Sequence, residues 1–315
     1  SFADISLVKA KAQNHAVTLY PIGTLTKGAL GENMAELFDM SQAGAIAFYD
    51  YQKPIENPNL MKIALQYASN FEGLIISFPQ ESRISRTGVM NEHISSTRLG
   101  LNGNPTLAEE LQIARDLFLL EYTGGKLHIP TISTAKSVDL IREAKKKKLD
   151  VSCSVAIHNL CFTDEALETF NTNFKVLPPI RTQSDINALI NGLKDGTIDM
   201  VTSDHNPIDI EHKKIEFEGA KYGTIGLESA FGALQTLFST KKTINFLTQG
   251  KQRFGIETSP IKIGEKANLS LFNPDETYTF NKTNITSTSK NAIFENVELK
   301  GKVYGVITNN KLILK

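Results

Sequence analysis

Six short apolar runs, each followed or preceded by an amphipathic stretch, constrain this chain more than any other feature. Residues 16–20, 44–49, 73–77, 126–129, 151–157 and 198–201 are rich in β-branched and aliphatic side chains and read as strands. Between them, residues 33–42, 58–70, 106–121 and 185–193 carry helical periodicity, and a further helix runs to Lys147 behind a Ser133 or Thr134 cap. Pro105 stands just ahead of the third helix, where its missing N–H costs nothing. Strands alternating with helices imply a parallel sheet, and this many units in one run favour a closed barrel over an open sheet.

A (β/α)8 TIM-type barrel needs eight strands, and only one further short run, near residues 174–177, is available. The shortfall lies at the N-terminal end, where residues 1–14 supply one helix at most. An unfilled barrel leaves unpaired strand edges, so the expectation is that at least one strand comes from residues outside this sequence or from another chain. The first residue, Ser1 rather than Met, fits an upstream portion that is not part of this sequence.

Beyond Gly255 the texture changes to short β runs at 260–264, 267–272, 277–280, 303–308 and 311–314, with Asn309-Asn310 as a tight hairpin turn. The division expected is residues 1–258 as the barrel and 259–315 as the C-terminal part of a small appended β-sandwich.

Composition removes several function classes. Lys and Arg together number 34, as do Asp and Glu, so no net field draws the chain to nucleic acid or to an anionic membrane. The basic run Lys145–Lys148 follows Ile141 and Ala144 at helical spacing and reads as the solvated last turn of a helix. No stretch reaches the roughly 20 apolar residues of a membrane span, and no signal peptide opens the chain, so the expected compartment is the cytoplasm. Cys153 and Cys161 are too few for a disulfide framework, and with His158 between them they match no zinc spacing; buried thiols are expected.

Chemistry concentrates where residues 198–201 run into Asp204 and His205. In a parallel barrel the C-terminal rim of the strands gathers the active-site loops, so an acid and an imidazole at that tip mark the candidate site. The plainer alternative is that Asp204 caps a turn and His205 makes local hydrogen bonds.

Lys175-Val-Leu-Pro-Pro-Ile-Arg181, Asp195-Gly-Thr-Ile-Asp199, Thr202-Ser-Asp-His-Asn-Pro207 and Gly223-Thr-Ile-Gly-Leu-Glu228 follow one another in that order. Upstream stand Pro21-Ile-Gly-Thr-Leu-Thr-Lys27, Leu127-His-Ile129, Ser133-Thr-Ala135 and His158-Asn-Leu160. Together they resemble the dihydroorotases of the amidohydrolase superfamily over essentially the whole chain. The resemblance implies a TIM barrel with a β-sandwich, and zinc-assisted hydrolysis of a cyclic amide in pyrimidine biosynthesis, with Asp204 shuttling the proton.

Against that pattern the metal site is degenerate. Phe78 stands where the resemblance implies a ligand histidine, and Thr131 where it implies another; neither side chain is a competent zinc ligand. The bridging acid falls in Asp50-Tyr51, where the family has two adjacent acids, leaving Asp50 as the surviving carboxylate. Leu177 and Ile208 replace polar substrate contacts. His205, His158 and Arg181 are the remaining candidates for substrate binding, His128 is also retained, and no bound cofactor is expected. Two readings follow. One is a dihydroorotase-like protein without hydrolase activity, kept for self-association or for assembly with aspartate transcarbamoylase, with which some bacteria pair such homologues. The other is a cyclic-amide hydrolase with a rearranged site.

Overall fold

The computed structural model describes residues 1–258 and 260–314; Ser259, at the expected domain boundary, and Lys315 lie outside the described residues. Its framework is a parallel sheet. Strand β1 (Leu74–Ile76) is followed by a small parallel pair, β2 (Met90–Asn91) and β3 (Gly103–Asn104), and then by β4 (Lys126–Ile129), β5 (Val151–Ala156) and β6 (Met200–Thr202). The order β1-β4-β5-β6 is parallel throughout, with Ile76 beside His128, His128 beside Ser152, and Ala156 beside Thr202.

Two more strand positions extend the sheet beyond β1. Phe48 bridges Ile75 in parallel, and Gly23 bridges Phe48, with Gly23 N donating to Ala47 O at 2.9 Å and Tyr49 N to Gly23 O at 2.8 Å. Six consecutive parallel positions therefore exist, as the alternation predicts. The outermost sits at Pro21 and Gly23, not at residues 16–20, because Pro21 and Gly23 are what pair with residues 46–49. Residues 174–177 form no strand; Thr172–Phe174 is a 3-10 turn, and the chain there follows a path set by Pro178 and Pro179.

Helices flank the sheet as amphipathic sequence requires. Pro58–Ser69 opens on an Asn57 cap, with proline in the first turn, and buries Leu60, Met61, Ala64, Leu65 and Ala68. Ala135–Lys146 is capped by Thr134, whose hydroxyl accepts from Ser137 N at 3.1 Å, and ends in the basic turn expected of it. One contiguous core, built around Phe48, Ile75, Leu127, Ile129, Val155 and Val201, joins strands to helices. Among the described residues no helix is long and apolar enough to cross a membrane.

The C-terminal unit is an antiparallel sheet of β7 (Leu269–Thr279), β8 (Glu298–Thr308) and β9 (Lys311–Leu314). Asn309 and Asn310 both have positive φ, 49° and 57°, as a tight hairpin between β8 and β9 demands. Residues 260–264, expected as β, are not a strand. The helix Ala230–Leu237 lies against β8, and Phe231 meets Phe272 of β7 with ring centroids 4.7 Å apart.

Candidate functional site

Tyr51, Phe78, Thr131, His158 and Asp204 each follow the C-terminal end of a different strand of the parallel sheet, and so share one rim. At its centre is a contact that sequence did not suggest: the Tyr51 hydroxyl donates to Asp204 Oδ1 at 3.4 Å. Burial pushes the Asp204 carboxyl up to about 6, and the tyrosine hydrogen bond offsets only part of that rise. Partial burial, with Asp204 beside it, raises the Tyr51 phenol above its ordinary value. Asp204 sits at φ 43°, and its N–H donates to Thr202 Oγ1 at 3.2 Å, an aspartate-compatible turn at the strand tip.

Aromatic and amide groups adjoin this pair, whose Tyr51 is half exposed. The Tyr49 and Tyr51 rings meet edge to face at 5.8 Å, Gln52 N donates to the Tyr49 oxygen at 3.1 Å, and Gln52 Nε2 reaches across to Leu177 O at 3.1 Å. Leu177 thus offers its carbonyl as an anchor for the turn after Tyr51.

Asp50 faces the other way. It is buried; Oδ1 accepts from Leu25 N at 2.8 Å and Thr26 N at 3.0 Å, and the Thr26 hydroxyl donates to Oδ2. Thr26 Oγ1 in turn accepts from Gly31 N at 2.9 Å, so the carboxylate pins the loop after the first strand position. Of the two adjacent positions it is therefore Tyr51, not Asp50, that faces Asp204, and the expectation of Asp50 as a surviving ligand does not match this geometry.

The histidines are spoken for or isolated. His128 lies between two serines, with Nδ1 2.8 Å from Ser152 Oγ and Nε2 3.3 Å from Ser154 Oγ; burial takes it down to about 3, so it stays neutral. His158 is fully buried, likewise depressed to about 3, and neither ring nitrogen has a hydrogen-bond partner. Phe78 is buried as a core residue. Thr131 is buried at φ 48°, a strained conformation for a β-branched residue of the kind that clusters at functional rims.

His205 and Arg181 hold loops. His205 Nδ1 accepts from Gly226 N at 3.2 Å and Leu227 N at 3.3 Å, which leaves the proton on Nε2, 3.5 Å from Ser287 Oγ. Glu228 Oε1 receives Ser287 N at 2.8 Å and Ser287 Oγ at 2.5 Å. Gly226 must be glycine, because a Cβ there would fall 2.1 Å from Ser203 O. The Gly223–Glu228 motif therefore clamps the Asp204 turn. Arg181 is buried, donating to Ser133 Oγ at 3.1 Å, Asn91 Oδ1 at 2.9 Å and Asn104 O at 2.6 Å. Glu109 lies beside it, accepting from Ser133 N at 2.8 Å and Ser137 Oγ at 2.6 Å. This buried network was not anticipated; its signal in the sequence was Glu109 in the same helical row as Gln112, Ile113 and Asp116 on the inward face.

The residues present do not fit a zinc centre: among the described residues no three His, Cys, Asp or Glu side chains converge closely enough to hold a metal. Cys153 is buried and Cys161 half-buried; burial raises both thiols, Cys161 to about 12, which makes them inert.

Comparison with known proteins adds the following. The family model described as dihydro-orotase-like matches residues 4–137. A dihydroorotase of Ruminiclostridium cellulolyticum is 41% identical over 98% of this chain and 73% of its own length. One of Pelotomaculum thermopropionicum is 38% identical over 99% and 75%. Among solved structures, the L-hydantoinase (dihydropyrimidinase) of Arthrobacter aurescens superposes with a TM-score of 0.84 over 100% of this chain and 74% of its own, at 19% identity, which speaks for the shared barrel fold alone.

Proposed function

This chain belongs to the dihydroorotase family, and from that premise we propose that it is a non-hydrolytic member, retained for assembly with itself or with aspartate transcarbamoylase. The observation that carries the reading is the Tyr51–Asp204 contact with Asp50 turned away: a phenol occupies the place from which a carboxylate would face Asp204. Phe78 and Thr131 remove two more metal-binding side chains from the same rim. Asp204 then has no activated water to accept a proton from, and what is left at the mouth is a hydrogen-bonded lid built from Tyr49, Tyr51 and Gln52.

A second reading, hydrolysis of a cyclic amide at a rebuilt site, draws on two facts. Asp204, at about 6, is placed and poised as an acid–base group, and the relatives named above carry the name dihydroorotase.

Metal uptake separates the two. Zinc titrated into protein purified without chelator is expected to bind with less than one tight site per chain, and Phe78→His with Thr131→His is expected not to create one, because Tyr51 still supplies a phenol where a carboxylate is needed. One or two tightly held zinc ions per chain in the unmodified protein would overturn the reading.

A further inference from the structure

Two buried lysines, Lys175 and Lys213, bond backbone carbonyls and, among the described residues, no carboxylate. Lys175 Nζ donates to Phe217 O at 2.9 Å and Glu218 O at 2.7 Å, and aromatic faces take up its remaining direction, with the Tyr222 and Phe217 ring centroids 4.9 and 5.6 Å away. That is a full set of partners for an ammonium. Lys213 Nζ donates to Thr172 O at 2.8 Å and to Lys175 O at 3.3 Å, and among the described residues it has no third acceptor. An ammonium carries three N–H donors and a neutral amine two, so the surroundings of Lys213 satisfy the neutral form and leave its lone pair free.

The charges nearby favour the same form. Glu218 acts on Lys175, Asp209 is held by His212 Nδ1 at 2.7 Å, and Glu216 and Lys214 are exposed, so the charge that Lys213 feels is the like-signed one of Lys175. Burial, with that charge beside it, takes Lys213 down to about 7. The residue lines a cleft of about 580 Å³, within the range of small-molecule sites, whose wall includes neither Tyr51 nor Asp204. Lys214, Lys282 and Lys290 stand on the same wall, against Asp209 and Glu295. His212 engages Asp209 and Lys282 lies 3.8 Å from Glu295, whereas Lys290 bonds only carbonyls, Ile285 O at 3.0 Å and Ser287 O at 2.7 Å. Two cations, Lys214 and Lys290, are left to face an anion.

We propose that Lys213 is a nucleophilic lysine that takes small aldehydes carrying a phosphate as a reversible imine, with the phosphate bound by Lys214 and Lys290 on the cleft wall. The step needs no cofactor. The Nζ lone pair adds to the aldehyde carbon, and the carbonyl oxygen then leaves as water with the two amine protons while the C=N bond forms. Nothing is oxidised or reduced, and water returned to the imine carbon reverses the reaction. A lysine in water, at its ordinary value of about 10.4, holds about one neutral amine in a thousand at pH 7.4, which is why burial without a carboxylate partner makes this one different. Its position is also fixed, since Lys213 O accepts from Thr172 Oγ1 at 2.6 Å.

The inference depends on neither reading of the barrel mouth, and the unmodified protein tests it. Pyridoxal 5′-phosphate is the probe; borohydride, by delivering hydride to the imine carbon, traps the adduct, and peptide mass spectrometry locates it. At pH 7.4 Lys213 is expected to be labelled at least about tenfold faster than the exposed Lys242. Its rate should level off above about pH 8, where the amine is already neutral, while that of Lys242 keeps rising. Pyridoxal, the same aldehyde without the phosphate, should label Lys213 about tenfold more slowly, and Lys214→Ala, at an exposed position, should narrow that difference. Dialysis without borohydride should release the adduct. Lys213 left unlabelled while Lys242 reacts, a Lys213 rate that climbs to pH 10 in step with Lys242, or pyridoxal reacting as fast as its phosphate would each overturn the proposal.

Discussion

Asp50→Ala is expected to lower the unfolding free energy by about 3–5 kcal/mol. The carboxylate accepts two buried backbone N–H groups and the Thr26 hydroxyl, and alanine leaves all three donors without a partner where water does not reach. Each orphaned buried donor costs about 1–3 kcal/mol, and bonds to a charged acceptor lie toward the upper end. Asp50→Asn should lose less, since its amide oxygen still receives the two N–H groups. Urea unfolding of the three proteins measures this. An Asp50→Ala protein as stable as the parent would mean that the carboxylate is not the pin described, and would reopen Asp50 as a group held for chemistry.

Asp204→Asn is expected to stabilise the protein at pH 8 by roughly 1–3 kcal/mol and to do nothing at pH 4. Burial raises the folded carboxyl to about 6, above its unfolded value near 4, so the native state binds the proton more tightly than the unfolded chain. Native stability from this group is therefore greatest below pH 4, falls as pH rises from about 4 to 6, and is level above. Asparagine imitates the protonated acid at every pH, so the difference between variant and parent grows through that window and then stays constant, while all other titrations cancel. A difference independent of pH, or a parent more stable than Asp204→Asn at pH 8, contradicts the assignment.

Much of the fold was legible because strand and helix periodicities were clean. Five of the six runs became parallel positions where they were expected, and the cap at Thr134 and the Asn309-Asn310 hairpin stand where local chemistry put them. The outermost strand was misplaced by a few residues because 16–20 has the higher β propensity, whereas pairing with residues 46–49 selects Pro21 and Gly23. The candidate site was half legible. Asp204 at a strand tip followed from pattern, but which of Asp50 and Tyr51 faces it depends on backbone direction at the end of one strand, and a one-residue step there reverses every side chain. Arg181 and His205 were expected as substrate groups from the resemblance; in the fold Arg181 donates to Ser133 and Asn91, and His205 accepts from the 226–227 backbone.

The most direct test of the central claim is ring opening of dihydroorotate by the unmodified chain, followed with added zinc and compared with Asp204→Asn. The account predicts no turnover above the uncatalysed rate for either protein, because Tyr51, Phe78 and Thr131 leave Asp204 with nothing to exchange a proton with. Turnover in the unmodified chain that Asp204→Asn abolishes would contradict it, and would show the rim to be a rebuilt active site instead of a closed one.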